Sequence, residues 1–127
     1  MSTQRFISTS FWDDQWIQSL EFIEKSLYFY LMTNTLTNIA GVYKITERRI
    51  SFDTNLNEDE IKTILLKFEK AGKAYRKDEY IILPNWPKHQ QWEKRLKIKA
   101  GIESVLKTLS NEMLVFLKKS RLFVPNK

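Results

Sequence analysis

The chain has 127 residues, 43% hydrophobic and 13% aromatic, with three glycines and three prolines, which suits one domain with a real core and few flexible linkers. It has no cysteine, which excludes disulfides and thiolate metal sites and fits a reducing, cytoplasmic setting. The net charge of +6 is uneven, −4 over residues 1–60 and +10 over residues 61–127, a distribution that suits a polyanionic partner as well as a solvated surface.

No apolar run approaches the roughly 20 residues that span a bilayer, so no membrane partner is expected. The opening Met-Ser-Thr-Gln-Arg-Phe-Ile lacks the basic-then-apolar plan of a signal peptide. Phe6, Ile7, Phe11, Trp12, Trp16 and Ile17 make this segment too apolar for a free tail. It is expected to lie across the domain, with a short helix near residues 13–18. A longer helix is predicted over about residues 20–32, with Ser19 as N-cap and a stripe of Leu20, Ile23, Leu27, Tyr30 and Leu31. Residues 33–40 are rich in Thr and Asn, which favour turns. Gly41 leads into a β segment, Val42 to Ile45, placed to join a later hairpin as a third strand. Thr46 then caps a helix carrying Arg48, Arg49, Ile50 and Phe52. Asn55 occupies the following turn, where Asn ranks next after Gly for positive φ.

Asn57 and Glu60 have the spacing of a reciprocal cap. Behind them Ile61, Ile64, Leu65 and Phe68 share one helical face. Gly72 suits the left-handed position after a helix end. Two short strands follow, at about 73–76 and 80–83, joined through Lys77-Asp78-Glu79. Helix, turn, helix and hairpin in that order read as a winged helix-turn-helix: a mainly α fold with a small three-stranded sheet. Beyond Pro84-Asn85-Trp86-Pro87, residues 91–109 look helical, with Ile98, Ile102, Val105 and Leu109 on one side. Gly101 weakens that helix by roughly 1 kcal/mol relative to Ala and marks a place for a break. Ser110 is placed to cap a last helix carrying Met113, Leu114, Phe116 and Leu117.

The expected organisation is a winged-helix domain over residues 1–90, including the N-terminal segment, and a helical extension over 91–127. The extension either covers the domain or pairs with another copy. Its apolar faces over residues 98–122 exceed what a small winged domain needs, which predicts self-association, by default as a C2 dimer.

Three blocks carry a family likeness: RFISTSFWDD (residues 5–14), TNTLTNIAGVYKI (33–45) and YIILPNWPKHQ (80–90). Over roughly residues 5–90 the chain resembles the N-terminal domain of phage replisome organisers, relatives of the DnaD-type primosomal proteins of Gram-positive bacteria. The resemblance implies a winged-helix fold, a role in starting phage or plasmid DNA replication, binding of origin duplex DNA, and self-association. Relatives continue into a second domain that handles helicase or helicase-loader contacts, so such a partner is expected to act through a C-terminal domain missing here. Asn55 stands where relatives often have Gly.

Candidate contact residues follow from the helical wheel. The outward face of the second helix centres on Asp59, Thr63, Leu66 and Lys70, flanked by Lys62 and Lys67. Thr63 suits a base edge and Leu66 a thymine methyl; the three lysines suit phosphates, or simply a solvated face. Arg48 and Arg49 lie on the helix that crosses the backbone in such motifs. Lys73, Arg76 and Lys77 make a basic wing tip, diluted by Asp78 and Glu79. Glu58, Asp59 and Glu60 crowd the helix start; capping and the helix dipole account for them, but they repel phosphate and keep a protein-docking role open.

Enzyme chemistry finds no foothold. His89 is the lone histidine, with no ligand set or triad to join, and no glycine-rich phosphate loop is present. The tryptophans at 12, 16, 86 and 92 lie in apolar contexts that suit the core better than base stacking. The leading reading is a non-enzymatic, cofactor-free DNA-binding module of a replication initiator. The alternatives are an oligomeric primosome scaffold without direct DNA binding, or a phage transcriptional regulator on the same fold.

Overall fold

Side chains that intercept free amide hydrogens start most of the helices. The computed structural model describes residues 7–84, 86 and 96–120. A 3-10 turn over Thr9–Asp13 ends at Asp14, whose carboxylate accepts the Ile17 N–H at 3.0 Å and opens α1, Gln15–Gln18. Helix α2, Phe22–Thr33, starts at Glu21, whose backbone N–H donates to the Glu24 carboxylate at 3.0 Å. Ser19, expected to cap α2, instead closes α1, its N–H bonding the Gln15 and Trp16 carbonyls and its hydroxyl the latter. The correction has a local cause. Ile17 and Leu20 are both buried, and the turn at Ser19 and Leu20 seats both before Glu21 opens α2.

Helix α3, Glu47–Thr54, is capped by Thr46, whose hydroxyl accepts the Arg49 N–H at 3.1 Å. It ends on Asn55 at φ 66°, the left-handed geometry that Asn tolerates. Helix α4, Glu58–Lys70, opens with the reciprocal cap: the Asn57 side chain accepts from Glu60 N–H at 2.8 Å, and the Glu60 carboxylate from Asn57 N–H at 3.2 Å. It closes through Gly72 at φ +73°, with Gly72 N–H on the Glu69 carbonyl and Lys73 N–H on the Phe68 carbonyl, a Schellman closure.

Strands β1 (Val42–Lys44), β2 (Tyr75–Lys77) and β3 (Tyr80–Ile82) form an antiparallel sheet in the order β1-β3-β2. The hairpin turn has two residues, Asp78 and Glu79, both at positive φ (50° and 69°), as a twisted tight hairpin demands. Lys77 therefore belongs to β2, and Lys73 precedes the strand, which starts two residues and ends one residue later than expected. The left-handed Glu79 is anchored where its carbonyl accepts from Ile45 N–H at 2.9 Å.

Alternation along the strands divides the core in two. Tyr43 and Ile81 face a helical core with Ile17, Leu27, Leu31, Ile50, Ile61 and Phe68. Val42 and Ile82 face the other way, onto α5 (Leu96–Lys107) and α6 (Asn111–Ser120) through Ile102, Leu106, Leu109, Met113 and Leu117. Ser110 caps α6, accepting the Met113 N–H at 3.1 Å. Helix α5 runs through Gly101 without a break; a Cβ there would meet Ile39 at 3.4 Å, an ordinary packing contact.

The C-terminal helices thus cover the sheet. Of the apolar surface read as a self-association face, Ile102, Leu106, Leu109, Met113 and Leu117 are buried against the sheet, while Val115 stays 54% exposed. At the sheet edge Gly41, at φ +73°, admits Trp86: a Cβ on residue 41 would fall 2.6 Å from the Trp86 Cβ. The Trp86 indole N–H donates to the Asn38 carbonyl at 2.9 Å. Among the described residues, no helix is long and apolar enough to cross a membrane.

Candidate nucleic-acid interface

The helix-turn-helix presents α4 edge-on. Its inner face buries Ile61, Ile64, Leu65 and Phe68, worth about 1.5–3 kcal/mol each. Its outer face leaves Thr63, Lys62 and Lys70 exposed and Leu66 59% exposed. Leu66 is an apolar side chain held into water between two lysines that have no ion pair among the described residues.

The other predicted cations divide sharply. Arg48, Lys62 and Lys70 are exposed and have no ion pair among the described residues. Lys67 is committed to α2, its ammonium 2.9 and 3.0 Å from the two oxygens of the Glu24 carboxylate. Burial pushes Glu24 up, but the Lys67 hydrogen bond and charge, with the Glu21 N–H, hold it below the ordinary carboxylate value. Lys67 is therefore a brace between α2 and α4.

Arg49 is committed too. Its Nε lies 3.0 Å from Asp53, and an Nη donates to the Thr35 hydroxyl at 3.2 Å. Asp53 also accepts from the Tyr30 hydroxyl; that bond, ahead of the Arg49 contact, lowers its pKa, while burial and the same bond raise that of Tyr30. In the wing, Arg76 points back to Glu47 at 3.2 Å with its side chain 17% exposed. Lys73 lies over the Trp16 ring at 5.4 Å, and Lys77 over the Phe116 ring at 5.2 Å, with Asp78 3.6 Å away. The expected free basic tip is therefore not present as such: Arg76 and Lys73 turn inward because acidic and aromatic groups of α3 and α1 meet them.

Several exposed groups escaped the sequence reading. Phe52 is 82% exposed, and its place two residues after buried Ile50 turns it to the opposite side of α3. Trp12, expected in the core, is 51% exposed, although it lies against Phe11 and Phe29. Lys44 is exposed on β1, two residues from Val42 and so on the same side of the sheet. His89 and Trp92 lie outside the described residues.

Beside α4 a groove of about 420 Å³ runs between the starts of α2 and α4, lined by Glu21, Glu24, Asp59, Glu60, Thr63 and Ile64 among others. Its acidic wall repels phosphate, so phosphate contacts on α4 fall to Lys62 and Lys70, while Thr63 stands at the groove's rim. Among the described residues no three His, Cys, Asp or Glu side chains gather as a metal ion would require. Comparison with known proteins finds no matching family model, and no curated protein or solved structure with significant similarity.

Proposed function

We propose that this chain is the DNA-binding module of a phage or plasmid replication-initiation protein of the replisome-organiser type, acting on origin duplex DNA in the cytoplasm. The observation that carries it is the exposed face of α4, where Thr63 and Leu66 stand between the unpaired Lys62 and Lys70 on the second helix of a winged helix-turn-helix. Thr63 and Leu66 supply base-edge and thymine-methyl contacts, and Arg48, Lys62 and Lys70 supply phosphate contacts. The replication role rests on the likeness of residues 5–14, 33–45 and 80–90 to replisome organisers. Self-association belongs to the same reading, with exposed Trp12, Phe22 and, on α6, Val115 as its apolar candidates.

Footprinting on the phage or plasmid DNA that encodes the chain tests this directly. Protection inside a replication origin supports the proposal, and protection at a promoter replaces it with a transcriptional regulator. Absence of duplex binding even at low salt overturns it. A second reading, docking of a protein on α4, is favoured by the acidic groove beside Thr63, and loss of oligomers in a Leu66→Ala variant would select it.

A further inference from the structure

The C-terminal helices cover the sheet, but one end of that covered face remains basic. Lys44 on β1 and Lys77 on β2 both stand opposite Tyr80 of β3 in the register. Directly opposed residues share a face of the sheet, so the two lysines flank Tyr80, two interstrand spacings or about 10 Å apart. Helix α6 arrives at the same end: the Phe116 ring lies 5.2 Å from the Lys77 ammonium, and Phe116 and Tyr80 pack on the same apolar cluster. Lys119 follows Phe116 by three residues, hence one turn along the same side of α6. Lys44 and Lys119 are exposed and have no ion pair among the described residues.

We infer that Lys44, Lys77 and Lys119 form a phosphate-binding track across the end of the sheet and onto α6, through which the C-terminal extension grips duplex DNA beside the winged motif. This rests on the DNA-binding reading above and adds a second contact surface to it. The Phe116 ring holds the Lys77 side chain toward α6, and a cation over a ring keeps its N–H groups available to an anion. Two carboxylates temper the track: Asp78, 3.6 Å from Lys77 but 67% exposed, and Glu112, one turn before Phe116. An exposed pair of that kind contributes little and yields to a phosphate. The helix dipole also favours lysine in the last turn of α6. That accounts for a cation at 119; the Phe116 contact with Lys77, one turn before it, is what brings this end of α6 to the strand lysines.

Fluorescence anisotropy with the full chain and two unrelated duplexes tests the track, using Lys44→Gln, Lys119→Gln, the double variant, and Lys25→Gln on α2 as a charge-matched control. Each phosphate contact contributes about 0.9 to the slope of log K against log salt. Each track variant should therefore flatten the slope by about 0.9 and weaken both duplexes about eightfold at 0.1 M salt, since ten to the power 0.9 is about eight. The control should match the wild type. A wild-type slope in the double variant, or an equal loss in Lys25→Gln, overturns the track while leaving the winged motif's role intact. A wild-type chain that binds neither duplex overturns both. Thermal melts of the Lys44 and Lys119 variants, expected to match the wild type at these exposed positions, confirm that folding is unchanged.

Discussion

The Nε of Arg76 lies 3.2 Å from a carboxylate oxygen of Glu47, tying the wing to the first turn of α3. The guanidinium also donates to the Glu79 carbonyl at 3.2 Å, while its Nη2 is buried without a hydrogen-bond partner among the described residues. A cation held this way sets the pitch of the hairpin against the helix-turn-helix. It is a brace within the fold, not a hand extended to DNA.

Arg76→Ala should therefore lower stability by about 2–3 kcal/mol, because Glu47 is left largely buried without its counter-charge. Urea denaturation measures the loss, and a cycle with Glu47→Gln should show coupling of about 0.5–3 kcal/mol. The salt slope of DNA binding should stay at the wild-type value. A slope lower by about one unit, with stability intact, would return Arg76 to the phosphate contacts.

On α4 the variants should separate reading from positioning. Thr63→Ala and Leu66→Ala should reduce preference for the specific site by about 1–3 kcal/mol and leave non-specific affinity nearly unchanged. Arg48→Ala, Lys62→Ala and Lys70→Ala should weaken all sequences alike and flatten the salt slope by about one unit each. Lys67→Ala should do neither, since its ammonium already rests on Glu24. Competition binding with specific and scrambled duplexes distinguishes the three behaviours.

The C-terminal helices should respond as core. Leu117 and Met113 are each 2% exposed and pack with Val42 and Ile82. Truncating either to Ala should cost about 2–5 kcal/mol. Denaturation and sedimentation run on the same samples check this. A variant that keeps full stability but changes oligomeric state would place a subunit interface there.

Acid should weaken the fold partly through Glu24. Its folded pKa lies below the ordinary value of 4.5, so its stabilising contribution is present above that value and is lost as the pH falls through the lowered one. Asp53 is shifted in the same direction and adds to the effect. Glu24→Gln should be less stable than wild type at neutral pH, with the gap closing as the pH falls below 4.5 and through the lowered pKa. Thermal melts across that range test it; a constant gap would show that the charge of Glu24 is not what matters.

The local chemistry of this chain was legible in its sequence, and the long-range pairings were not. Asn57 with Glu60, Asn55 at positive φ, Gly72 after α4 and Ser110 before α6 all act within a few residues, where spacing alone exposes them. The third strand was legible because Val42 to Ile45 carries β-forming residues after a glycine turn. By contrast, Glu24 with Lys67 spans 43 residues, and Glu47 with Arg76 and Phe116 with Lys77 span comparable gaps. The first two decide whether a cation is free or occupied and the third where Lys77 is held, and no periodicity records any of them. Hence the outer face of α4 was placed correctly from its wheel, while the wing tip was overcounted as a free basic patch.

The sheet, only three residues deep and buried on both sides, has a consequence for how the molecule comes apart. Neither set of helices can leave without stripping a wall from the other, since Ile81 and Ile82, adjacent in β3, are each fully buried on opposite sides. Opening should be global, with a single transition reported alike by probes in α2 and in α6. The slowest amide protons to exchange should be those of β3, the central strand, and not those of the longer helices around it.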